Sequence, residues 1–340
     1  MASKEWTAPD ILQLSSSYWT ACALQAGVVL DVFTTLDTLR AEGKTPSAAE
    51  LATVLSCEKR AFGMLVTALV SLGFLNLDGE RILLPESSQR LLSAHSKEYI
   101  GFIVRHHAHL MHGWASLAEA VRTGQRTRDN SSSDTDNESE REAFLMGMFN
   151  VALHQADVVA EALDLSGKTR LLDLGGGPGT YAVFFCRHNP ALRATIFDLP
   201  TSRAFAEKTV HRYNMADRVD FAGGNFMQDT LPSGYDVAWL SQILHGESPQ
   251  DAAKLVASAA ATLNPGGLLA IQEFMLDDNL QGPAHAALFS LNMLVGTTGG
   301  QAYTESAIRT MMHTAGVTNI RRLSVALPSA CRILVGEVGR

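Results

Sequence analysis

The sequence predicts a doubly wound, Rossmann-like α/β domain with an antiparallel C-terminal strand over residues 169–340, behind a mainly helical, winged-helix-like domain over residues 1–95. Three observations carry this. From Thr169 onward, apolar strands alternate with helices, the rhythm of a parallel sheet covered on both faces. Leu171-Leu172-Asp173-Leu174 runs straight into Gly175-Gly176-Gly177-Pro178-Gly179 and then into a helix. Residues 10–95 read as helix, helix, helix and hairpin, the order of a winged helix.

In chain order, Ile11, Leu12, Tyr18, Trp19 and Ala23 recur at helical spacing, followed by Ala26, Val29, Leu30 and Phe33. Thr45-Pro46-Ser47 opens a helix over 48–54, with Thr45 as its expected N-cap and proline in the first turn. A third helix runs from Arg60 to Leu72 and stops at Gly73. Phe74–Leu77 and Arg81–Leu84, joined through Asp78-Gly79, have the signature of a hairpin. Residues 96–168 are expected to form a helical linker, with helices over 97–123 and 144–163 and a mobile polar loop over 124–142. That loop holds the sequon Asn130-Ser131-Ser132.

The second half is expected as strands 170–174, 194–197, 219–222, 237–240 and 268–271, with helices 180–187, 203–213 and 251–263 between them. A helix over 306–315 precedes strands 320–325 and 333–338, which lack an intervening helix and therefore pair antiparallel.

A chain of 340 residues suits two domains, and 46% hydrophobic against 18% charged residues supplies material for their cores. The net charge of −8 argues against nucleic acid as a partner. The four cysteines, Cys22, Cys57, Cys186 and Cys331, have neither metal-ligand nor redox spacing and read as reduced thiols. Neither a signal peptide nor a transmembrane span is expected, so the predicted setting is cytoplasmic, away from membranes.

Gly175, Gly177 and Gly179 let the backbone approach a ligand at the carboxyl end of the first strand. A dinucleotide fingerprint would need glycine at position 180, where threonine stands. Asp198 lies 19 residues beyond Gly179, at the end of the expected second strand, where a carboxylate can accept both hydrogen bonds from a ribose diol.

On these residues the stretch from 170 to 340 resembles the small-molecule O-methyltransferases related to plant caffeate and to bacterial polyketide and hydroxyindole enzymes, which have a class I methyltransferase fold. The N-terminal region resembles that family's dimerisation domain. The resemblance implies S-adenosyl-L-methionine as cofactor, held by Gly175, Gly177 and Asp198, and a homodimer acting on a small-molecule acceptor. The family's Gly-Gly-Asp-Met/Phe motif stands here as Gly223-Gly224-Asn225-Phe226, which gives Asn225 and Phe226 the adenine, with Ser241 among the cofactor contacts.

His245 occupies the position of the family's general base, a task suited to imidazole. Glu273, 28 residues on, matches its supporting glutamate. Phe144, Met148, Asn292 and Met293 match positions near the acceptor. Many relatives follow the histidine with aspartate and tryptophan, where this chain has Gly246 and Glu247. Plant members carry a second supporting glutamate after a Gly-Gly pair, where Gln301 and Ala302 follow Gly299-Gly300 here.

His106, His107, His109 and His112 lack acidic or cysteine companions at ligand spacing, so no metal is expected. The expected activity is methyl transfer to a hydroxyl of an aromatic or polycyclic molecule. The rivals are carbon, nitrogen or sulfur methylation on the same fold and, from another class, a winged-helix ligand-responsive transcriptional regulator.

Overall fold

The computed structural model describes residues 5–128 and 137–339, so the sequon and residues 129–136 of the expected loop lie outside it. The chain forms two compact units, the first ending at His109 and the second beginning at Leu110.

The first unit contains α1 (Ala8–Ser16), α2 (Tyr18–Val29), α3 (Val32–Ala41), α4 (Ala48–Val54), α5 (Lys59–Ser71), the strands β1 (Asn76–Asp78) and β2 (Arg81–Leu83), and α6 (Glu86–Leu92). Val32, Phe33, Leu51, Leu69, Leu75 and Ile82 fill its core. The N-cap of α4 is Ser47, not the expected Thr45. Its hydroxyl accepts from Glu50 N, and the Glu50 carboxylate accepts from Ser47 N at 2.7 Å. This reciprocal box satisfies two orphan N–H groups at once, which Thr45 has no partner to do. Thr45 and Pro46 serve the hairpin instead. The Thr45 carbonyl accepts from Arg81 Nη1, and the Pro46 carbonyl from Ile82 N at 2.9 Å. β1 and β2 pair antiparallel from Asn76 opposite Leu83 to Asp78 opposite Arg81, which leaves Gly79 and Glu80 as the turn.

The helix α7 (Gly101–Ala115) carries the four histidines, and α8 (Leu117–Thr123) follows. Next comes α9 (Glu138–Ala162), which starts six residues before the expected Phe144. Asn137 explains the difference: its side-chain oxygen accepts from Ser139 N and Glu140 N, and Glu138 and Glu140 favour the positive end of the helix dipole. α9 is long and apolar enough to cross a bilayer by length and composition, yet 56% of that window is buried inside the protein, as in a core helix. The expected loop is also pinned at 127–128, where both backbone N–H groups donate to Val295 O.

Then β3 (Arg170–Leu174), α10 (Thr180–His188), β4 (Arg193–Asp198), α11 (Arg203–Arg212), β5 (Val219–Gly223), β6 (Tyr235–Ser241), α12 (Pro249–Ala261) and β7 (Leu263–Glu273) alternate. α13 (Ala284–Gly296), α14 (Glu305–Thr314), β8 (Val317–Arg322) and β9 (Arg332–Val338) complete the unit. The sheet order is β5-β4-β3-β6-β7-β9-β8, parallel from β5 to β7, with β9 antiparallel to both of its neighbours.

Successive side chains of a strand face opposite sides, and the core divides accordingly. Leu171, Val237, Trp239 and Ala270 face the layer containing α9, α10 and α11. Leu172, Leu174, Ala238, Leu240 and Ile271 face the layer containing α12 and α14. The chain leaves β3 toward β4 and β5, then returns to β6 on the other side. This reversal opens a crevice between the carboxyl ends of β3 and β6, the usual ligand position in such sheets.

Candidate active site

The crevice is built from the glycine turn outward. Gly175, Gly177 and Gly179 have φ of +66°, +50° and +73°, a region costly for residues with a Cβ. Two of them also lack room: a Cβ on Gly175 would stand 2.7 Å from Ile243 Cγ2, and one on Gly179 would collide with Ile196. The turn aims Gly177 N at Asp198, whose Oδ2 accepts it at 2.7 Å. Asp198 Oδ1 accepts from Leu199 N at 2.7 Å and Ser202 Oγ at 2.8 Å. Burial raises the Asp198 carboxyl above its ordinary value, against the pull of the Gly177, Ser202 and Leu199 hydrogen bonds. A carboxylate offers about four lone-pair sites, so acceptor capacity remains.

A cavity of about 390 Å³ opens from this turn. Its wall includes Gly175, Gly177, Asp198, Asn225, Phe226, Ser241, His245, Phe144 and Met148, so residues from segments far apart in sequence meet in one space. Asn225 Oδ1 already accepts from Met227 N at 2.9 Å, in a turn closed by Asn225 N donating to Asp229. Asn292 and Met293 are not among the wall residues: the Asn292 oxygen accepts from Trp114 Nε1 at 3.0 Å, and Met293 is buried in α13.

His245 sits in a short 3-10 turn after β6, and Glu273 is the last residue of the neighbouring β7. His245 Nδ1 lies 2.8 Å from Glu273 Oε2, while the backbone N–H of His245 donates to Oε1 at 3.3 Å. The Glu273 side chain is 3% exposed and that of His245 14%, so the pair is shielded from water. A carboxylate can only accept from Nδ1–H, which fixes the tautomer and leaves the Nε2 lone pair free to take a proton. Phe289 meets the imidazole edge-on at 4.6 Å. A Cβ on Gly300 would collide with the His245 carbonyl, so glycine there lets the two segments close together.

Asp173, Gln155, Thr180 and Glu247 are polar wall residues to which the sequence assigned no role. Asp173 is 1% exposed, and burial carries its carboxyl to about 7, opposed by the hydrogen bond from Ala182 N and assisted by the charge of Asp198. Gln155 Oε1 and Thr180 Oγ1 are buried without a hydrogen-bond partner among the described residues. The only advance signal was Asp173 itself, a charge inside an apolar strand. Among the described residues no group of three or more histidine, cysteine, aspartate or glutamate side chains could hold a metal, the helical histidines included.

A family model described as "O-methyltransferase domain" matches residues 114–318. The 3-hydroxy-5-methyl-1-naphthoate 3-O-methyltransferase of Streptomyces sahachiroi is 34% identical, over 96% of this chain and 95% of its own. The tetracenomycin polyketide synthesis 8-O-methyl transferase TcmO of Streptomyces glaucescens is 33% identical, over 95% of each. The crystal structure of human N-acetylserotonin methyltransferase in complex with SAM superposes with a TM-score of 0.85 at 25% identity, over 100% of both chains.

Proposed function

We propose that this chain, which belongs to the O-methyltransferase family, transfers a methyl group from S-adenosylmethionine to a hydroxyl of an aromatic or polycyclic small molecule, with His245 as the general base. The observation that carries this is the shielded His245–Glu273 pair, whose His245 lines a cavity that also holds the glycine turn and Asp198.

The residues fit the methyl donor. Three positive-φ glycines form a cradle without side chains, and Gln155 Oε1 and Thr180 Oγ1 are orphaned acceptors that an ammonium group would satisfy. Asp198 would hold the ribose diol, Asn225 and Phe226 the adenine, and Asp173 with Gln155 and Thr180 the amino-acid end. When bound, the donor supplies an electrophilic methyl carbon on a sulfonium. His245 Nε2 takes the proton of the acceptor hydroxyl as the oxygen attacks, and Glu273 at Nδ1 holds the ring in place and offsets the imidazolium charge. Holding both reactants in one cavity can contribute roughly 7–11 kcal/mol through proximity and alignment.

The test is a screen of phenolic, hydroxyindole, quinol and tetrapyrrole acceptors with isotopically labelled donor, followed by location of the methyl in the product. An O-methyl ether is expected. Methyl found only on carbon, nitrogen or sulfur would replace this assignment with the corresponding transferase.

A homodimer through the first unit belongs to the same proposal. α1 buries no residue, and Ile11, Leu12, Leu14, Tyr18 and Trp19 are more than half exposed, an apolar face that a second copy would cover. Light scattering is expected to give twice the 36.6 kDa of one chain, and a monomer at micromolar concentration would end the idea.

A further inference from the structure

We propose that Glu247 selects the methyl acceptor. Its carboxylate accepts a hydrogen bond from a second donor group, a hydroxyl or an amine, beside the hydroxyl that His245 deprotonates. The preferred acceptors are then polyhydroxylated or amino-hydroxy arenes and not monophenols. The inference rests on His245 being the base.

Glu247 lies two residues beyond His245 and lines the same cavity. Its backbone is fixed. Glu247 N donates to Leu244 O at 3.0 Å, and Tyr303 Oη donates to the Glu247 carbonyl at 2.6 Å. The next residue, Ser248, is locked as the N-cap of α12 by Asp251 N at 3.2 Å. Gly300 packs on the His245 carbonyl from the other side.

The half-buried carboxylate on this fixed backbone has no hydrogen bond or ion pair among the described residues. Its charged surroundings are Asp251, which repels it, and His245, which attracts it, while burial raises its carboxyl above the ordinary value. A carboxylate partly withdrawn from water without protein donors carries part of that desolvation cost. An occupant of the cavity that brings an N–H or O–H removes that cost. Open space lies beside Gly246, where a Cβ would meet no atom outside its chain neighbours within 4 Å. His245 and Glu247 line one cavity, so an acceptor whose hydroxyl touches His245 can also reach the carboxylate.

The experiment is calorimetric binding to protein saturated with S-adenosylhomocysteine, using naphthalene-2,3-diol, 3-amino-2-naphthol and 2-naphthol as probes. A hydrogen bond to a charged group predicts a preference of roughly 10- to 100-fold for the diol and the aminonaphthol in the wild type. In Glu247→Met the preference should shrink to within about threefold, and Glu247→Gln, which keeps a neutral acceptor, should fall between. Unchanged S-adenosylhomocysteine affinity certifies that the variants fold.

Equal affinity for all three probes in the wild type, or no measurable binding of any, overturns the proposal, as does a preference that survives in Glu247→Met. A variant that loses discrimination between S-adenosylmethionine and S-adenosylhomocysteine also overturns it, because the carboxylate would then face the sulfonium. Binding needs no proton transfer, so the preference should persist in His245→Gln. Full turnover by that variant would remove the base and leave the Glu247 measurement standing.

Discussion

His245→Gln should lower turnover by roughly 10²–10⁴, the usual worth of general acid–base catalysis, with little change in donor affinity. The size follows from the geometry. Glu273 occupies Nδ1 at 2.8 Å, so the other ring nitrogen carries the whole proton transfer. Glutamine is close in reach and can hold the local structure, but it has no basic nitrogen. Donor affinity should hold, because the His245 side chain bonds to Glu273 and not to the glycine turn or Asp198.

Glu273→Gln should do less damage to turnover, since an amide oxygen still accepts from Nδ1–H while the compensating charge is lost. Single-turnover kinetics with saturating donor separates chemistry from release. A rate within a few-fold of wild type for His245→Gln would mean that the acceptor ionises unaided or that methyl goes to another atom.

Much of this arrangement was legible in the sequence, for a physical reason. In a doubly wound sheet, ligand contacts sit at strand ends, and strand ends are marked locally. Gly175, Gly177 and Asp198 announce themselves by a glycine turn and by a charge that closes an apolar run. Glu273 ends β7 and His245 stands in the turn just beyond its parallel neighbour β6, so chain order alone puts them side by side.

What the sequence did not yield is tertiary. α13 went unread because Ala284–Gly296 is apolar on nearly every side, which erases the period that marks an amphipathic helix. The start of α9 was hidden in a run of polar residues whose capping by Asn137 shows only in three dimensions. Gln155 and Glu247 look like ordinary helix and loop residues. Their interest lies in full or partial burial without a partner among the described residues, a property of surroundings drawn from several segments. Asn292 shows the converse, since its amide oxygen is engaged by Trp114, 178 residues away in sequence.

Asp173 should make the stability of the ligand-free protein fall as pH rises from about 4 to about 7. The carboxyl is raised from 3.8 to about 7, chiefly by burial, so the folded protein keeps a proton that the unfolded chain releases. The stabilisation is therefore complete below the unfolded value, declines through this window and is gone above about 7. At about 1.4 kcal/mol per pH unit, it amounts to something on the order of 4 kcal/mol. Asp198 and Glu247, also raised, add slope of the same sign. Asp236, lowered to about 2 chiefly by hydrogen bonds from Thr169 and Asn264 against a burial penalty, acts only below this window.

Asp173→Asn isolates the one residue, because the amide is neutral at every pH and its oxygen can still accept from Ala182 N. In urea unfolding, the variant should gain on the wild type as pH climbs toward 7 and hold a constant lead beyond it. Parallel curves for the two proteins between pH 4 and 7 would show that Asp173 is ionised throughout. A donor ammonium beside this carboxyl favours its ionised form, so S-adenosylhomocysteine should bind the wild type more tightly as pH approaches 7, and Asp173→Asn should lose that trend.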